Sequence, residues 1–365
     1  EIVKSSLGPR GLNKMIIDGS NFVVTSDGAT ILKEMNVEHP AAKIMVDVVK
    51  SQDAEVGDGT ISVVVLVEAL LDKALDLINK GVHPTIIVNG YEQAVEKALK
   101  VYDDLAVSVN PDDKDLLINV AATSLGSKSV SEEKEFLAKI AVDAVQAVRE
   151  TSENSRVNLD NIHIEKKAGE SLYDTILVRG IVVNKGIVDS AMPRRVKNAK
   201  IALVRKLTIL KSGRMYELKL HAEEPDKMNE FSEEWDRIFK RMVDKIVEVG
   251  ANVVLCREGI DDRAIYNLAK RDIVAVRSIR DIDVEGLEKA TGARAVDNVD
   301  DLTSEDLGEA ALVEERKIGK DKWVFVEGCK TPRSVTVLIR GGSERVVDEV
   351  SRLLHDALCV VRNVV

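Results

Sequence analysis

Residues 251–291, ANVVLCREGIDDRAIYNLAKRDIVAVRSIRDIDVEGLEKAT, switch repeatedly between two hydrophobic periods. The apolar runs at 251–255 and 272–276 have the length and β-branched content of buried strands. The segments 261–270 and 284–291 space their apolar residues as helices do. Strand, helix, strand, helix in succession predicts an α/β layer. Just upstream, 225–249 reads as another helix, with Met228, Phe231, Trp235, Ile238, Phe239 and Met242 along one stripe. Its first residues are expected to be exposed, and Phe239 and Met242 buried. Further strands are predicted in HIEKK (163–167), DTILVRGIVV (174–183), AKIALVRKLTIL (199–210) and VTVLIRGG (335–342).

Outside this region the pattern is helical. Pro40 opens one helix, 60–80 forms a second that stops at Gly81, and Pro84 starts a third. More helix is predicted at 116–122, 133–148 and 344–365. One excursion interrupts the first part: VVTSDGATI (23–31) reads as a strand, a turn at Asp27-Gly28 and a second extended piece. Helix, then α/β, then helix again implies one domain inserted into another. Gly180 and Gly341-Gly342 flank the insert and are candidate hinges.

At 365 residues the chain exceeds what one hydrophobic core holds. Only 3% of residues are aromatic against 45% hydrophobic, so the core is aliphatic. The net charge of −10, with both signs interspersed, argues against a nucleic-acid-binding face. Cys256, Cys329 and Cys359 form no C-x-x-C pair and are expected to be buried, reduced thiols of a cytoplasmic protein. The longest largely apolar run, 61–69, contains Ser62 and Glu68 and is too short to span a bilayer. The chain starts at Glu1 without a Met, and is expected to begin inside a longer gene product.

Val56-Gly57-Asp58-Gly59-Thr60 stands immediately before a long helix. Glycines allow close backbone approach to an anion, and the free amides at a helix start favour negative charge. A carboxylate in such a loop makes sense if it holds a cation, as Mg²⁺ is held by one or two carboxylates plus phosphate oxygens. The plainer reading is a glycine-rich turn with an aspartate helix cap. No GxxxxGK[ST] motif occurs, which excludes a P-loop. Two more turns, SLGPRG (6–11) and SDGA (26–29), complete a set of three loops near the start of the chain.

These motifs in order, SSLGPRG-x-x-KM, T-x-DGATIL, HPAA and VGDGT, followed by NPDD, AATSLGSK, MPRRV-x-NAKIAL, GANVV, ATGAR, EDLG, VEERK, FVEGCK and IRGG, resemble the group II chaperonins, the thermosomes and their eukaryotic cytosolic relatives. The resemblance implies a multidomain α and α/β chaperonin fold. Residues 1–110 would be the first half of a helical equatorial ATP-binding domain. Residues 111–180 and 334–365 would form a small intermediate domain. Residues 181–333 would form an inserted α/β apical, client-binding domain with a helical protrusion near 211–240. The resemblance implies that the remainder of the equatorial domain lies beyond this sequence, and the fragment alone is expected to be inactive.

The resemblance also implies an ATP/ADP and Mg²⁺ site. Asp58 matches the magnesium-coordinating aspartate. Leu7, Gly8 and Pro9 match the turn beside the nucleotide, Gly59, Thr60 and Ser62 the phosphate-binding helix start, and Lys128 a γ-phosphate sensor. Asp27 matches an aspartate near the attacking water, and Asp356 the residue that activates it after a domain closure. The implied activity is ATP hydrolysis driving ring and lid closure around unfolded client proteins. The implied partners are identical or paralogous subunits in a double ring, with neither nucleic acid nor membrane. Ile61 departs from the family's second hydroxyl residue. It cannot donate to a phosphate, so a weakly hydrolysing or purely structural ring subunit is the alternative.

Overall fold

The computed structural model describes residues 2–8, 10–18, 21–35, 37–126, 133–150, 157–208, 225–329 and 333–365. The chain divides into two compact units, 1–145 with 348–365, and 146–347.

In the first unit, strands β1 (Lys14–Asp18) and β2 (Asn21–Thr25) form an antiparallel hairpin. Helix α1 (Gly28–Glu34) follows where the sequence predicts a second extended piece. The helix wins because the Asp27 carboxylate takes up its first free amides, Ala29 N at 3.3 Å and Thr30 N at 2.7 Å. Helices α2 (Pro40–Val56) and α4 (Pro84–Leu105) begin alike: a histidine, His39 or His83, caps the first turn and a proline occupies its start. Between them lies α3 (Thr60–Asn79). Asp113 caps α5 (Lys114–Leu125), and α6 (Lys134–Val148) buries Leu137, Ala141, Val142 and Val145.

The second unit holds two sheets. Its strands are β3 (Ile162–Ala168), β4 (Ile176–Val178), β5 (Gly180–Val183), β6 (Arg195–Val204), β7 (Val253–Cys256), β8 (Val274–Val276), β9 (Gly308–Ile318), β10 (Asp321–Glu327) and β11 (Val335–Gly341). Its helices are α7 (Pro225–Glu248), α8 (Asp262–Ala269) and α9 (Asp281–Thr291). The large sheet runs β5-β10-β9-β6-β7-β8, parallel through β6, β7 and β8 and antiparallel elsewhere. One face packs on Leu287 and Ala290 of α9, the other on Phe239, Val243 and Ile246 of α7 with Ala264 and Leu268 of α8. Phe239 is fully buried and Met242 packs against that core. The side chains of Met228 and Phe231, and residues 211–224 of the expected protrusion near 211–240, lie outside the described residues.

The small sheet, β3-β11-β4, has β11 at its centre, buried along its whole length. Thr336 ties it to the large sheet, donating to Gly180 O at 3.0 Å and accepting from Val182 N at 3.2 Å. The proposed hinge glycines Gly180 and Gly341 are both strand residues. Helix α10 (Glu344–Val364) closes the chain, and from Asp348 onward it belongs to the first unit. The three free cysteines are buried, and desolvation pushes each thiol up to about 11. They are therefore unreactive. Among the described residues no helix is long and apolar enough to cross a membrane.

Candidate functional site

Gly57-Asp58-Gly59 joins α2 to α3. Both glycines have positive φ, +77° and +79°, which turns the chain sharply into the N-terminus of a 20-residue helix. No side chain caps that helix at Gly59, so its first amides are not taken up by a local cap. The Asp58 carboxylate is held at both oxygens: Oδ1 accepts from Gly59 N at 2.7 Å, and Oδ2 from the Ser124 hydroxyl on α5. Gln52 Nε2 fixes the Asp58 carbonyl at 2.9 Å.

A second loop meets the first. Thr60, buried at the start of α3, donates its hydroxyl to Asp27 Oδ1 at 3.2 Å. The same Asp27 oxygen is the α1 cap, so one carboxylate links two helix starts. Gly28 makes the approach possible. A Cβ there would lie 2.7 Å from Ile61 Cγ1 and 2.8 Å from Thr60 Oγ1. Ile61 is only 8% exposed and faces Gly28, whereas Ser62 is the first-turn side chain that reaches solvent.

Helix α10 lies against both loops. At Gly57 a Cβ would stand 2.3 Å from Cys359 Cβ and 2.5 Å from its Sγ, so the Cys359 side chain packs directly on the loop backbone. Arg362 donates to Glu55 O at 2.6 Å and Asn363 to Val56 O at 3.2 Å. Asp356, one turn before Cys359, is 5% exposed. Cys359 feels the negative charge of Asp356, Asp53 and Asp58, although burial is the main cause of its raised pKa. Asp356 lies in the same compact unit as Asp27 and Asp58.

Of the other candidates, Leu7 is exposed and Gly8 has φ +83° with open space around it. The Lys4–Ser6 turn before them packs on α3, and Ser6 Oγ ties it down by donating to Leu12 O at 2.6 Å. Pro9 and Lys128 lie outside the described residues. Sequence reasoning missed Ser124, Gln52, Thr25, Glu349 and Cys359. Their roles depend on partners up to 324 residues away, and no local pattern marks them.

The profile of the TCP-1/cpn60 chaperonin family matches residues 1–365. The chain belongs to this family. Among its relatives, a thermosome subunit of Pyrococcus horikoshii is 49% identical over 366 residues, covering 100% of this chain and 66% of the relative. A thermosome subunit beta of Desulfurococcus mucosus is 50% identical over 364 residues, covering 99% and 72%. A thermosome subunit alpha of Archaeoglobus fulgidus is 47% identical over 364 residues, covering 99% and 67%. The chain thus spans about 66% of the length of the first of these. A solved open-state monomer of a group II chaperonin from Methanococcoides burtonii is 39% identical, with a TM-score of 0.58 over 84% of this chain and 70% of that one. The fold is therefore the multidomain α and α/β chaperonin fold.

Proposed function

We propose that this chain is the greater part of an ATP-dependent protein-folding chaperonin subunit, with Asp27, Asp58 and Asp356 at its nucleotide site. The observation that carries the reading is the docking of α10, with buried Asp356, on the glycine loop that opens α3. The residues present fit magnesium. Among the described residues no group of three or more His, Cys, Asp or Glu could cage a metal alone. One carboxylate beside a helix N-terminus suits an ion that takes its remaining ligands from phosphate and water. Asp58 would hold it, and when bound it neutralises charge on the phosphates.

The chain's own residues would do the rest. The α3 amides and the exposed Ser62 hydroxyl bind phosphate, with Leu7, Gly8 and Pro9 bordering the nucleotide and Lys128 reaching the terminal phosphate. Asp27, fixed by Thr60, orients the water, and Asp356 accepts its proton. The apical domain (181–333) would bind unfolded clients, and the intermediate domain (111–180 with 334–365) would relay the nucleotide state. Like or paralogous subunits would complete a cytoplasmic double ring. The structural-subunit alternative is not favoured: all three aspartates are present, and Ile61 is engaged with Gly28. Ile61→Thr is accordingly expected to leave turnover unchanged.

The test is Asp356→Ala in a full-length subunit assembled into rings. Nucleotide affinity should be preserved while turnover falls on the order of 10²–10⁴-fold, the usual cost of losing a general base. Unchanged steady-state turnover would remove Asp356 from the mechanism.

A further inference from the structure

Thr25 ends β2 and is almost fully buried. Its hydroxyl accepts from Asp27 N at 3.1 Å and donates to Glu349 Oε1 at 3.3 Å. Glu349, itself 8% exposed, lies on α10, where Arg352 holds its other oxygen at 2.6 and 3.0 Å. An unbroken polar path therefore runs from the Asp27 backbone through Thr25 to α10. Glu349 precedes Asp356 by seven residues, two helical turns, so the two carboxylates share a face of the helix. Six and seven residues beyond Asp356, Arg362 and Asn363 make the contacts to Glu55 and Val56 described above. Asp356 is thus midway between two anchors, one on the loop of Asp27 and one on the end of α2 that leads into the loop of Asp58.

Two attachments about 10 Å either side of a residue fix a helix against both sliding and rotation. Without the Glu349 anchor, the stretch before Asp356 would be held by apolar packing of Val350, Leu353 and Leu354, which fixes rotation less sharply than a hydrogen bond. We infer that the buried Thr25–Glu349 bridge is a positioning device for Asp356, which sets α10 so that this carboxylate meets a water aligned by Asp27. The inference rests on the nucleotide-site reading. Neither Thr25 nor Glu349 is a catalytic residue in it. Each acts through the placement of α10, and their loss affects the chemical step rather than the affinity for nucleotide.

The experiment compares Thr25→Val, Thr25→Ser, Glu349→Gln and the Thr25→Val/Glu349→Gln double variant in full-length rings, with Asp356→Ala alongside. Steady-state ATPase gives kcat and KM, and calorimetry gives ATP affinity. Thr25→Val and Glu349→Gln should each lower kcat on the order of ten- to a hundredfold, as small misplacements of a reacting group do. ATP affinity should be unchanged, Thr25→Ser should keep parental kcat, and the double variant should be no worse than the single ones. If Glu349→Gln fails to fold, Thr25→Val decides alone, since it leaves the Glu349–Arg352 pair in place. Parental kcat in Thr25→Val, loss of affinity parallel to the loss of kcat, failure of Thr25→Ser to rescue, or additive losses in the double variant would each overturn the inference. If Asp356→Ala itself turns over normally, the site reading has failed; if only the bridge variants do, the site stands and the bridge is structural.

Discussion

In the unit formed by 1–145 and 348–365, Asp27 and Asp58 accept hydrogen bonds from backbone amides and from the hydroxyls of Thr60 and Ser124. In the unit formed by 146–347, buried acids meet arginine, as Glu349 of the first unit also does. Arg280 bridges Glu165 on β3 and Asp283 on α9, and Arg194 grips Glu315 at 3.0 and 3.1 Å. The chemistry differs accordingly. An acid bound by an arginine fork has its charge neutralised and its geometry spent on holding elements together. A neutral donor orients a carboxylate without bringing an opposite charge of its own. Burial alone does not mark a site acid, because Glu165 and Asp283 are as deeply buried as Asp356.

The tight seat of the first unit's loop gives the largest expected loss. Gly57→Ala forces a side chain into a left-handed backbone and into Cys359, and should cost about 3–4 kcal/mol of stability. Gly81→Ala is the control: φ is +87° but the surroundings are open, so only about 1 kcal/mol is expected from backbone strain. Equal losses in chemical denaturation would show that α10 does not press on the loop.

Next comes the second unit's charge bridge. Arg280→Met would strand Glu165 and Asp283 without their cation. Arg280 reaches solvent, so the cost should be about 2–3 kcal/mol, below the roughly 3–5 of a fully buried pair. A loss near that of a surface pair, about 0.5 kcal/mol, would break the contrast between the units. Burial raises the Glu165 pKa even with Arg280 beside it, and the hydrogen bond to Asp283 raises that of Arg280.

The smallest effect is a pH dependence. His163, beside this bridge, is buried with Nε2 lacking a partner and closely approached by Gly286. Burial lowers its pKa below 6.5; Arg280 and Lys289 act the same way, Asp283 and Glu285 oppose. The unfolded chain therefore takes up a proton near 6.5 that the folded chain resists. Stability contributed by neutral His163 is complete above 6.5 and is lost as the pH falls below it. Thermal unfolding should show stability declining as the pH falls below 6.5, a decline that His163→Leu removes. An unchanged slope in that variant would assign the decline to other groups.

Much of this was legible in the sequence because it depends on local chemistry. Pro40 and Pro84 start helices, Gly81 follows the end of one, and the runs at 251–255 and 272–276 became the buried strands β7 and β8. The extended reading of 29–31 failed because β-branched Thr30 and Ile31 suggest strand, while the Asp27 cap, worth about 1 kcal/mol, decides for helix. In the β9–β10 hairpin, charged residues such as Glu314, Arg316 and Glu327 interrupt the apolar pattern: Arg316 pairs along β9 with Glu314 and across to Glu327 on β10. At the site, Asp27 and Asp58 stand in glycine turns that draw attention. Asp356 looks like any polar helix residue, and Thr25, Ser124 and Glu349 gain their meaning only from partners the fold supplies.

The metal-bearing role proposed for Asp58, held by Gly59 and Ser124 at the start of α3, is open to direct measurement. Calorimetry of a full-length subunit and its Asp58→Ala variant, with ATP in the presence and absence of Mg²⁺, tests it most directly. The account predicts that Mg²⁺ strengthens ATP binding in the parent, and that Asp58→Ala weakens Mg-ATP binding by about tenfold or more. Metal-free ATP binding should change little. Equal Mg-ATP affinity in parent and variant would remove Asp58 from the metal site and leave it as a turn residue tied to Gly59 and Ser124.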